Sequence, residues 1–238
     1  MINKQVVLNL PEIDNFHYNE AIKTLRTNIQ LAGASVKKIQ VTSVGPNEGK
    51  STISIRLANS FAESGKKTLY IDADIRKSVV ATRFLEGGEI YGLTEILAGQ
   101  VEMDAAIYKT NIPKLDIVFA GPYSPFPTEL FEDIRCKQFF EHVNQLGYDM
   151  VIMDTAPLGL VIDAVILSRY VDGTAVVAES EVATKQGLKR VLDQLDRASA
   201  RVLGVILNKI KTGKGGYYYK DYGYKYGYGY DYGYEYKK

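Results

Sequence analysis

Cysteine is almost absent from this chain of 238 residues, since Cys136 is the only one. A single cysteine cannot form an internal disulfide, and its place in TELFEDIRCKQFFEHV predicts a small buried side chain rather than a catalytic thiol. No apolar run approaches the roughly 20 residues of a membrane span, and the start, MINKQVVLNLPEID, lacks the basic-then-apolar order of a secretion signal. A formal net charge of +1 argues against nucleic-acid binding, which normally shows a basic patch. These absences predict a soluble cytoplasmic protein.

Aliphatic residues are also missing from the last 22 positions, YYYKDYGYKYGYGYDYGYEYKK. Eleven of the 18 tyrosines lie in this segment, interleaved with Gly, Lys, Asp and Glu. Such a composition has no core to bury, and its glycines raise the entropic cost of order. We therefore expect a disordered tail over residues 213–238 with accessible phenols. A self-associating Gly/Tyr-rich tract is the alternative interpretation.

The rest of the chain alternates short β-branched runs with helical patterns, which is typical of a mostly parallel sheet with helices on both faces. Runs such as VIMD, TAVVA and VLGVIL are apolar, as strands buried on both faces require. The pattern predicts an α/β domain over residues 1–212, with a boundary near KTGKGG, residues 211–216. The predicted strands are Lys38–Val44, Thr68–Ala73, Leu115–Ala120, Met150–Thr155, Thr174–Ala178 and Val202–Leu207. The predicted helices are Tyr18–Leu31, Lys50–Ser64, Pro127–Leu146 and Lys185–Ala198.

A phosphate-binding loop, SVGPNEGKST, lies between the first predicted strand and its helix. Backbone N–H groups and the positive end of the helix dipole can hold phosphates there, while Lys50 reaches the terminal ones. The Ser51 hydroxyl would be a Mg²⁺ ligand, and Thr52 would support the α-phosphate side. The predicted nucleotide-binding residues of the loop are Gly45, Pro46, Asn47, Glu48, Gly49, Lys50, Ser51 and Thr52.

The spacing of this loop departs from the usual P-loop pattern. The standard pattern has a glycine five residues before Gly49, where this chain has Val44, and Gly45 stands one place late. The order of strand, loop and helix still favours an ATP site. Together with the tyrosine-rich tail, it indicates an enzyme that carries its own phosphate acceptors.

Three aspartates follow apolar strands in positions that suit phosphoryl chemistry. Asp72 and Asp74 share one face at the carboxyl end of the second strand, in LYIDADIR, where α/β sheets place their ligands. Asp154 follows another apolar strand, in MVIMDTAP. Carboxylates so placed suit a hydrated Mg²⁺ and proton acceptance from an attacking hydroxyl.

These three segments, read in order, resemble those of the bacterial tyrosine kinases, P-loop enzymes of which many govern capsule and exopolysaccharide synthesis. SVGPNEGKST corresponds to the phosphate loop, LYIDADIR and VIMDTAP to the two acidic motifs, and the C-terminal tyrosines complete the set. The resemblance runs from about Tyr18 to the end of the chain. It implies an ATP- and Mg²⁺-dependent protein-tyrosine kinase of the Gram-positive arrangement. In that arrangement a cytoplasmic kinase is recruited to the inner face of the membrane by a separate membrane-spanning activator.

The resemblance also implies roles for single residues. Lys50 would neutralise the β- and γ-phosphates, and Ser51 would hold Mg²⁺. Asp72 would accept or orient the tyrosyl proton, while Asp74 and Asp154 would position the metal, partly through water. Asp72 belongs to the expected metal set as well, and exchange of roles between Asp72 and Asp74 stays open.

The family's other features concern the adenine, the tail and self-association. Asn208, in GVILN, corresponds to a position near the adenine, although an asparagine at a sheet end can simply cap a loop. The first helix carries Glu20, Lys23 and Arg26 where the family commonly has Glu-x-x-Arg-x-x-Arg, so ring-like self-association would be weaker because lysine lacks the planar fork of arginine. Phosphorylation between neighbours would loosen the ring. The expected phosphoacceptors are Tyr217, Tyr218, Tyr219, Tyr222, Tyr224, Tyr226, Tyr228, Tyr230, Tyr232, Tyr234 and Tyr236.

Two other functions stay open from the sequence. An ATPase switch of the division-site or plasmid-partition type shares the expected fold, but its signature lysine would stand at position 45, where this chain has Gly45. A nucleotide-dependent scaffold with a partner-binding tail would bind ATP without forming phosphotyrosine. His17 and His142 show no spacing for metal or acid–base work and are expected to be structural or exposed.

Overall fold

The computed structural model describes residues 4–210 except 12, 14 and 87–89. The predicted boundary at residues 211–216 and the tyrosine-rich tail therefore lie outside the described residues. None of the described helices is long and apolar enough to cross a membrane.

The described strands form one sheet in the order β1-β4-β5-β3-β6-β2-β7-β8. All pairings are parallel except the antiparallel pair β4 and β5. Every residue of the central strands β3 and β6 is buried, which shows that helices cover both faces there. The strands are β1 (Gln5–Val6), β2 (Lys38–Ser43), β3 (Thr68–Ala73), β4 (Tyr108–Thr110), β5 (Leu115–Val118), β6 (Met150–Thr155), β7 (Gly173–Glu179) and β8 (Val202–Asn208).

The six predicted strands are all present, with ends that differ by up to two residues. The α/β fold class with a mostly parallel sheet is confirmed. Sequence analysis missed β1 and β4, which have only two and three residues and therefore show no recognisable alternation. Both lie at the edge of the sheet that is remote from the phosphate loop.

The helices connect the strands and cover the sheet. Three of the four predicted helices are present as α1, α2 and α8, with ends shifted by one or two residues. The described helices are α1 (Phe16–Leu31), α2 (Lys50–Glu63), α3 (Val80–Phe84), α4 (Leu93–Leu97), α5 (Pro127–Glu132), α6 (Ile134–Gln145), α7 (Asp163–Leu167) and α8 (Lys185–Arg197), with 3-10 turns at Met103–Ala106 and Ser168–Tyr170.

The prediction of one continuous helix over Pro127–Leu146 is wrong. The helix breaks at Asp133, whose backbone is extended, with φ −66° and ψ 153°. The Asp133 carboxylate accepts a hydrogen bond from the backbone N–H of Arg135, at 2.8 Å, and so caps α6. The break turns α5 toward α7, against which it packs.

Cys136 and His142, to which the sequence analysis gave no chemical role, lie in different surroundings. Cys136 is fully buried in α6, as predicted, and burial raises the pKa of its thiol to about 12. His142 has an unpredicted partner, because its Nε2 lies 2.8 Å from Asp104 Oδ1. The pair joins α6 to the 3-10 turn at Met103–Ala106. Neither residue belongs to the phosphate loop or to the motifs that carry the three aspartates.

Candidate active site

The phosphate loop joins β2 to α2 through residues with unusual backbone angles. Asn47 and Gly49 have positive φ values of 61° and 89°. The buried Glu48 carboxylate accepts the backbone N–H of Val44 at 2.9 Å, which closes the loop on itself. Pro46 and Asn47 form the exposed tip. The loop thus has a fixed shape, and α2 begins at Lys50 directly behind it.

The end of β8 holds the phosphate loop from the side. The Asn208 amide donates to the Glu48 carbonyl at 2.8 Å, and a β-carbon on Gly49 would lie 2.2 Å from Asn208 Nδ2. Position 49 therefore requires glycine for two reasons, its positive φ and the lack of room for a β-carbon beside Asn208. Asn208, predicted near the adenine, thus lies against the phosphate loop.

A second bracing contact was not predicted. Lys209 Nζ donates to the Asn47 carbonyl at 2.7 Å and to Glu179 Oε2 at 2.8 Å. Glu179 is the last residue of β7, so the bridge ties two strand ends to the loop tip. No sequence pattern marks Lys209, because its role depends on two strands meeting at one edge.

The three predicted aspartates converge on the predicted lysine. β3 and β6 are neighbours in the sheet, and their register places Asp72 opposite Asp154. Lys50 Nζ lies 2.8 Å from Asp154 Oδ1 and 3.7 Å from Asp74 Oδ2. All four side chains are buried or nearly so. The structure therefore brings these four side chains together at the carboxyl end of the sheet, and their roles stay predictions.

The surroundings of this cluster shift the pKa values of Asp72 and Lys50. Burial, followed by the charge of Asp154, raises the pKa of Asp72 from 3.8 to about 8, although the Ser78 hydroxyl and Lys50 oppose that shift. The Ser78 hydroxyl donates to Asp72 Oδ2, and the Asp74 N–H donates to Asp72 Oδ1 at 3.2 Å. Burial disfavours the charged ammonium of Lys50, but Asp154 and Asp74 outweigh burial, so its pKa is raised.

The oxygen atoms around Lys50 suit a hydrated magnesium ion. Asp154 Oδ2 is buried and, among the described residues, has no hydrogen-bond partner. Ser51 Oγ lies 3.5 Å from Lys50 Nζ at the start of α2. No group of three or more His, Cys, Asp or Glu side chains in the described part of the chain could hold a metal by itself. Mg²⁺ commonly completes its shell with water and phosphate oxygens, so the donor set fits that ion.

An arginine outside the predicted set lies at the edge of the cluster. Arg76, two residues after Asp74, donates from Nε and Nη2 to the Asp163 carboxylate at 2.6 and 2.8 Å. Its Nη2 also lies 3.1 Å from Thr128 Oγ1. Asp163 is fully buried at the start of α7. Arg76 was visible in the motif LYIDADIR, but its partner lies 87 positions away and could not be deduced.

The predicted self-association residues are separate from this cluster. Glu20 and Lys23 form an exposed pair at 2.7 Å on α1. Arg26 donates instead to the Ser60 carbonyl at 2.8 Å and to its hydroxyl at 3.2 Å, which fastens α1 to α2. The predicted phosphoacceptors all lie outside the described residues.

Strand, phosphate loop, helix and convergent carboxylates define a nucleotide-binding P-loop domain. Residues 36–208 match the family model described as AAA domain. This range begins just before β2 and ends at Asn208, so it contains the phosphate loop, Lys50 and the three aspartates.

Relatives of known function show which kind of P-loop protein this chain is. The chain is 40% identical over 210 residues to the tyrosine-protein kinase CpsD of Streptococcus pneumoniae, covering 87% of this chain and 92% of that protein. It is 37% identical over 208 residues to the tyrosine-protein kinase YwqD of Bacillus subtilis, covering 87% and 85%. The chimerical protein CapA2B2 has a similar structure, with a TM-score of 0.79, 29% identity, and coverage of 89% and 96%. The chain belongs to the bacterial tyrosine-protein kinases of the capsule-associated type, and its enzymatic activity is that of a protein-tyrosine kinase.

The alternative of a division-site ATPase finds support only at the level of the fold. The septum site-determining protein MinD of Pyrococcus horikoshii superposes with a TM-score of 0.62 at 22% identity, covering 75% of this chain and 72% of that one. This degree of likeness shows a shared P-loop fold.

Proposed function

We propose that this kinase transfers the γ-phosphate of ATP to tyrosines in the tail of a neighbouring copy, and so regulates synthesis and export of a capsular polysaccharide or exopolysaccharide. The observation that carries the proposal is the convergence of Lys50 and three aspartates behind a phosphate loop. The kinship with tyrosine kinases supports tyrosine as the acceptor. The eleven tail tyrosines supply acceptors within the same chain.

The loop residues would bind the nucleotide through the backbone and Lys50. The N–H groups of residue 45 and residues 47–52, together with the start of α2, present positive charge to phosphates. Lys50, held at 2.8 Å from Asp154, would move its ammonium toward the terminal phosphates. The family resemblance would place Asn208 near the adenine, and its amide contacts the Glu48 carbonyl of the phosphate loop.

Magnesium would be held by Ser51 and, directly or through water, by Asp154 and Asp74, with Asp72 as the remaining candidate ligand. When bound, Mg²⁺ neutralises charge that develops on the phosphates during transfer. The unpartnered Asp154 Oδ2 is the feature of this site that supports the assignment.

Asp72 is the residue that we assign to the tyrosyl proton. A carboxyl group with a pKa of about 8 exchanges protons near neutral pH, which suits a group that accepts or orients a phenolic proton. Its two hydrogen bonds, from Ser78 and from the Asp74 backbone, fix the orientation of the carboxyl. Asp74 stands close enough to exchange this role with Asp72.

Phosphoryl transfer between copies requires that the tail of one copy reach the active site of a neighbouring copy. A flexible segment of about 25 residues spans roughly 25–30 Å, which suffices to reach an adjacent subunit. Each added phosphate carries between about one and two negative charges, so a modified tail would repel its neighbours and loosen a ring. By resemblance to the Gram-positive tyrosine kinases, a separate membrane-spanning activator would recruit the kinase to the inner face of the membrane.

A mixing experiment tests transfer between copies. Wild-type enzyme is incubated with MgATP, an activator segment and an excess of ¹⁵N-labelled Lys50→Met protein, and the intact mass of the heavy chain is measured. We expect stepwise phosphate additions on the heavy chain that map to tyrosines of the tail. Phosphate confined to the light chain would refute transfer in trans, and nucleotide binding without phosphate on either chain would favour the scaffold.

A further inference from the structure

Arg76 presents a guanidinium that is locked in place beside the acid cluster. Two of its nitrogens contact the two oxygens of the fully buried Asp163, at 2.6 and 2.8 Å. This bidentate pairing uses one edge of the guanidinium plane and does not occupy its flat faces. The Arg76 side chain is 31% exposed, so part of it faces solvent.

Large exposed apolar side chains lie in the two loops that Arg76 connects. Tyr123 and Phe126, in the loop that follows β5, are 72% and 63% exposed. Leu160 and Ile162, in the loop that follows β6, are 64% and 43% exposed. Arg76 joins these loops because it contacts both Thr128, at the start of α5, and Asp163, at the start of α7. We call Tyr123, Phe126, Leu160 and Ile162 the apolar rim. Clusters of this kind beside an active site mark a binding surface.

A groove continues from the rim along α4. Its volume is about 510 Å³, within the range of sites that hold a ligand or a short segment of chain. The Ser124 N–H lies 3.5 Å from the Ile75 carbonyl, so the loop that forms the groove is attached next to Arg76. The groove is lined by Leu97, Pro122, Tyr123, Pro125, Phe126 and Arg135, among others.

We propose that Arg76 and the apolar rim, together with this groove, bind the acceptor segment, and that the occupant is Tyr222–Tyr236 of a second copy of this chain. The inference rests on the proposed function and identifies where the acceptor binds. In that segment tyrosine alternates with Gly, Lys, Asp or Glu. The glycines allow close approach of the backbone, and successive rings can pack on proline and aromatic side chains.

Arg76 would bind the ring of the tyrosine that is about to react. An aromatic ring stacks on the face of a guanidinium, and the locked orientation of Arg76 removes the cost of ordering it. The 28 residues that follow Ile210 supply both the length and the composition for this occupant. A short acceptor would use Arg76 alone, whereas the full tail would use the rim and groove as well.

Acceptor titrations test the proposal with the full chain. Lys50→Met protein serves as acceptor at increasing concentration, and each active variant is used in catalytic amounts with saturating MgATP and the activator segment. We expect Arg76→Lys and Tyr123→Ala to raise the apparent KM for the acceptor by about tenfold, because each loses a stacking contact. Tyr123→Phe keeps the ring and is expected to behave as the wild type.

Two controls separate acceptor binding from damage to the fold or the phosphate site. Leu31→Ala removes an equally exposed apolar side chain on α1, at 79% exposure, and should leave KM unchanged. Binding of fluorescent ADP should be the same in every variant. Equal KM values for Tyr123→Ala and wild type, or a matching loss of ADP affinity in Arg76→Lys, would overturn the proposal. Wild-type enzyme that transfers no phosphate to the acceptor would instead refute the proposed function.

Discussion

Gly159 lies against Val44 so closely that a β-carbon at position 159 would be 1.8 Å from the Val44 carbonyl oxygen. The Gly159 N–H also lies 3.4 Å from the Ser43 carbonyl. The loop that follows Asp154 therefore passes directly over the entrance to the phosphate loop. Position 159 has no room for a side chain, because the atom that it would meet belongs to the backbone.

Gly159→Ala is expected to displace the phosphate loop. The clash with the backbone should cost about 1–3 kcal/mol of unfolding free energy, as other insertions into packed positions do. The affinity for fluorescent ADP should fall at least about tenfold. Urea unfolding measures the loss of unfolding free energy. Gly147→Asn is the control, because position 147 has open space and a φ of 68° that asparagine tolerates. Normal ADP binding by Gly159→Ala would contradict this account of the loop.

Asn208→Ala should weaken nucleotide binding by about fivefold. The substitution removes the 2.8 Å hydrogen bond to the Glu48 carbonyl, worth about 1 kcal/mol, and with it the bracing of the loop. Isothermal titration with ADP measures the loss. Asn59→Ala removes a similar amide contact, to Glu63 at 2.8 Å on the surface of α2, and should not change affinity. An unchanged affinity in Asn208→Ala would show that the contact is structural only.

Asp72→Asn should change how the stability of the nucleotide-free protein depends on pH. The pKa of Asp72 is about 8 in the folded state and about 3.9 in an unfolded chain, so between these values the folded state binds the extra proton. Wild-type stability should therefore fall as pH rises from about 4 to 8, with a limiting slope of about 1.4 kcal/mol per pH unit from this group.

The comparison between the two proteins isolates that contribution. Asparagine does not titrate, so the stability of Asp72→Asn relative to wild type should increase from pH 5 to 8, measured by urea unfolding. A constant difference over this range would mean that Asp72 is not the titrating group.

Lys23→Arg should strengthen self-association without changing the monomer's stability. Lys23 is 57% exposed and pairs only with Glu20 of its own helix among the contacts seen, so a guanidinium there is free to grip a carboxylate of a neighbouring copy at two points. Sedimentation velocity should show a larger share of oligomer. Lys137→Arg, on α6 beside Glu141, is the matched control at 60% exposure. An equal increase in oligomer in both variants would mean that any exposed arginine has this effect, and would contradict a specific role of position 23.

The convergence of Lys50 with the three aspartates could be predicted because it depends on the order of strands and loops along the chain. Asp72 and Asp154 each end an apolar strand, and the carboxyl ends of parallel strands meet at one edge of the sheet. The lysine of the phosphate loop must then face them, since α2 starts at that edge. The proximity of the lysine and the aspartates can therefore be deduced from the order of strands and loops, before any distance is known.

Contacts that depend on the path of loops could not be predicted. The pairing of Arg76 with Asp163 and the bridge from Lys209 to Asn47 join positions 87 and 162 residues apart. The break at Asp133 was overlooked because apolar residues continue on both sides of it. An aspartate followed by a new apolar stripe is a capping signal, so that break could have been found.

Intact mass before and after incubation with MgATP tests the central claim most directly. Wild-type protein with an activator segment should gain phosphates one at a time, mapped to Tyr217–Tyr236, while Lys50→Met under the same conditions gains none. Wild-type protein that binds ADP yet gains no phosphate, or a Lys50→Met protein that gains as many as wild type, would contradict the assignment of this site to tyrosine phosphorylation.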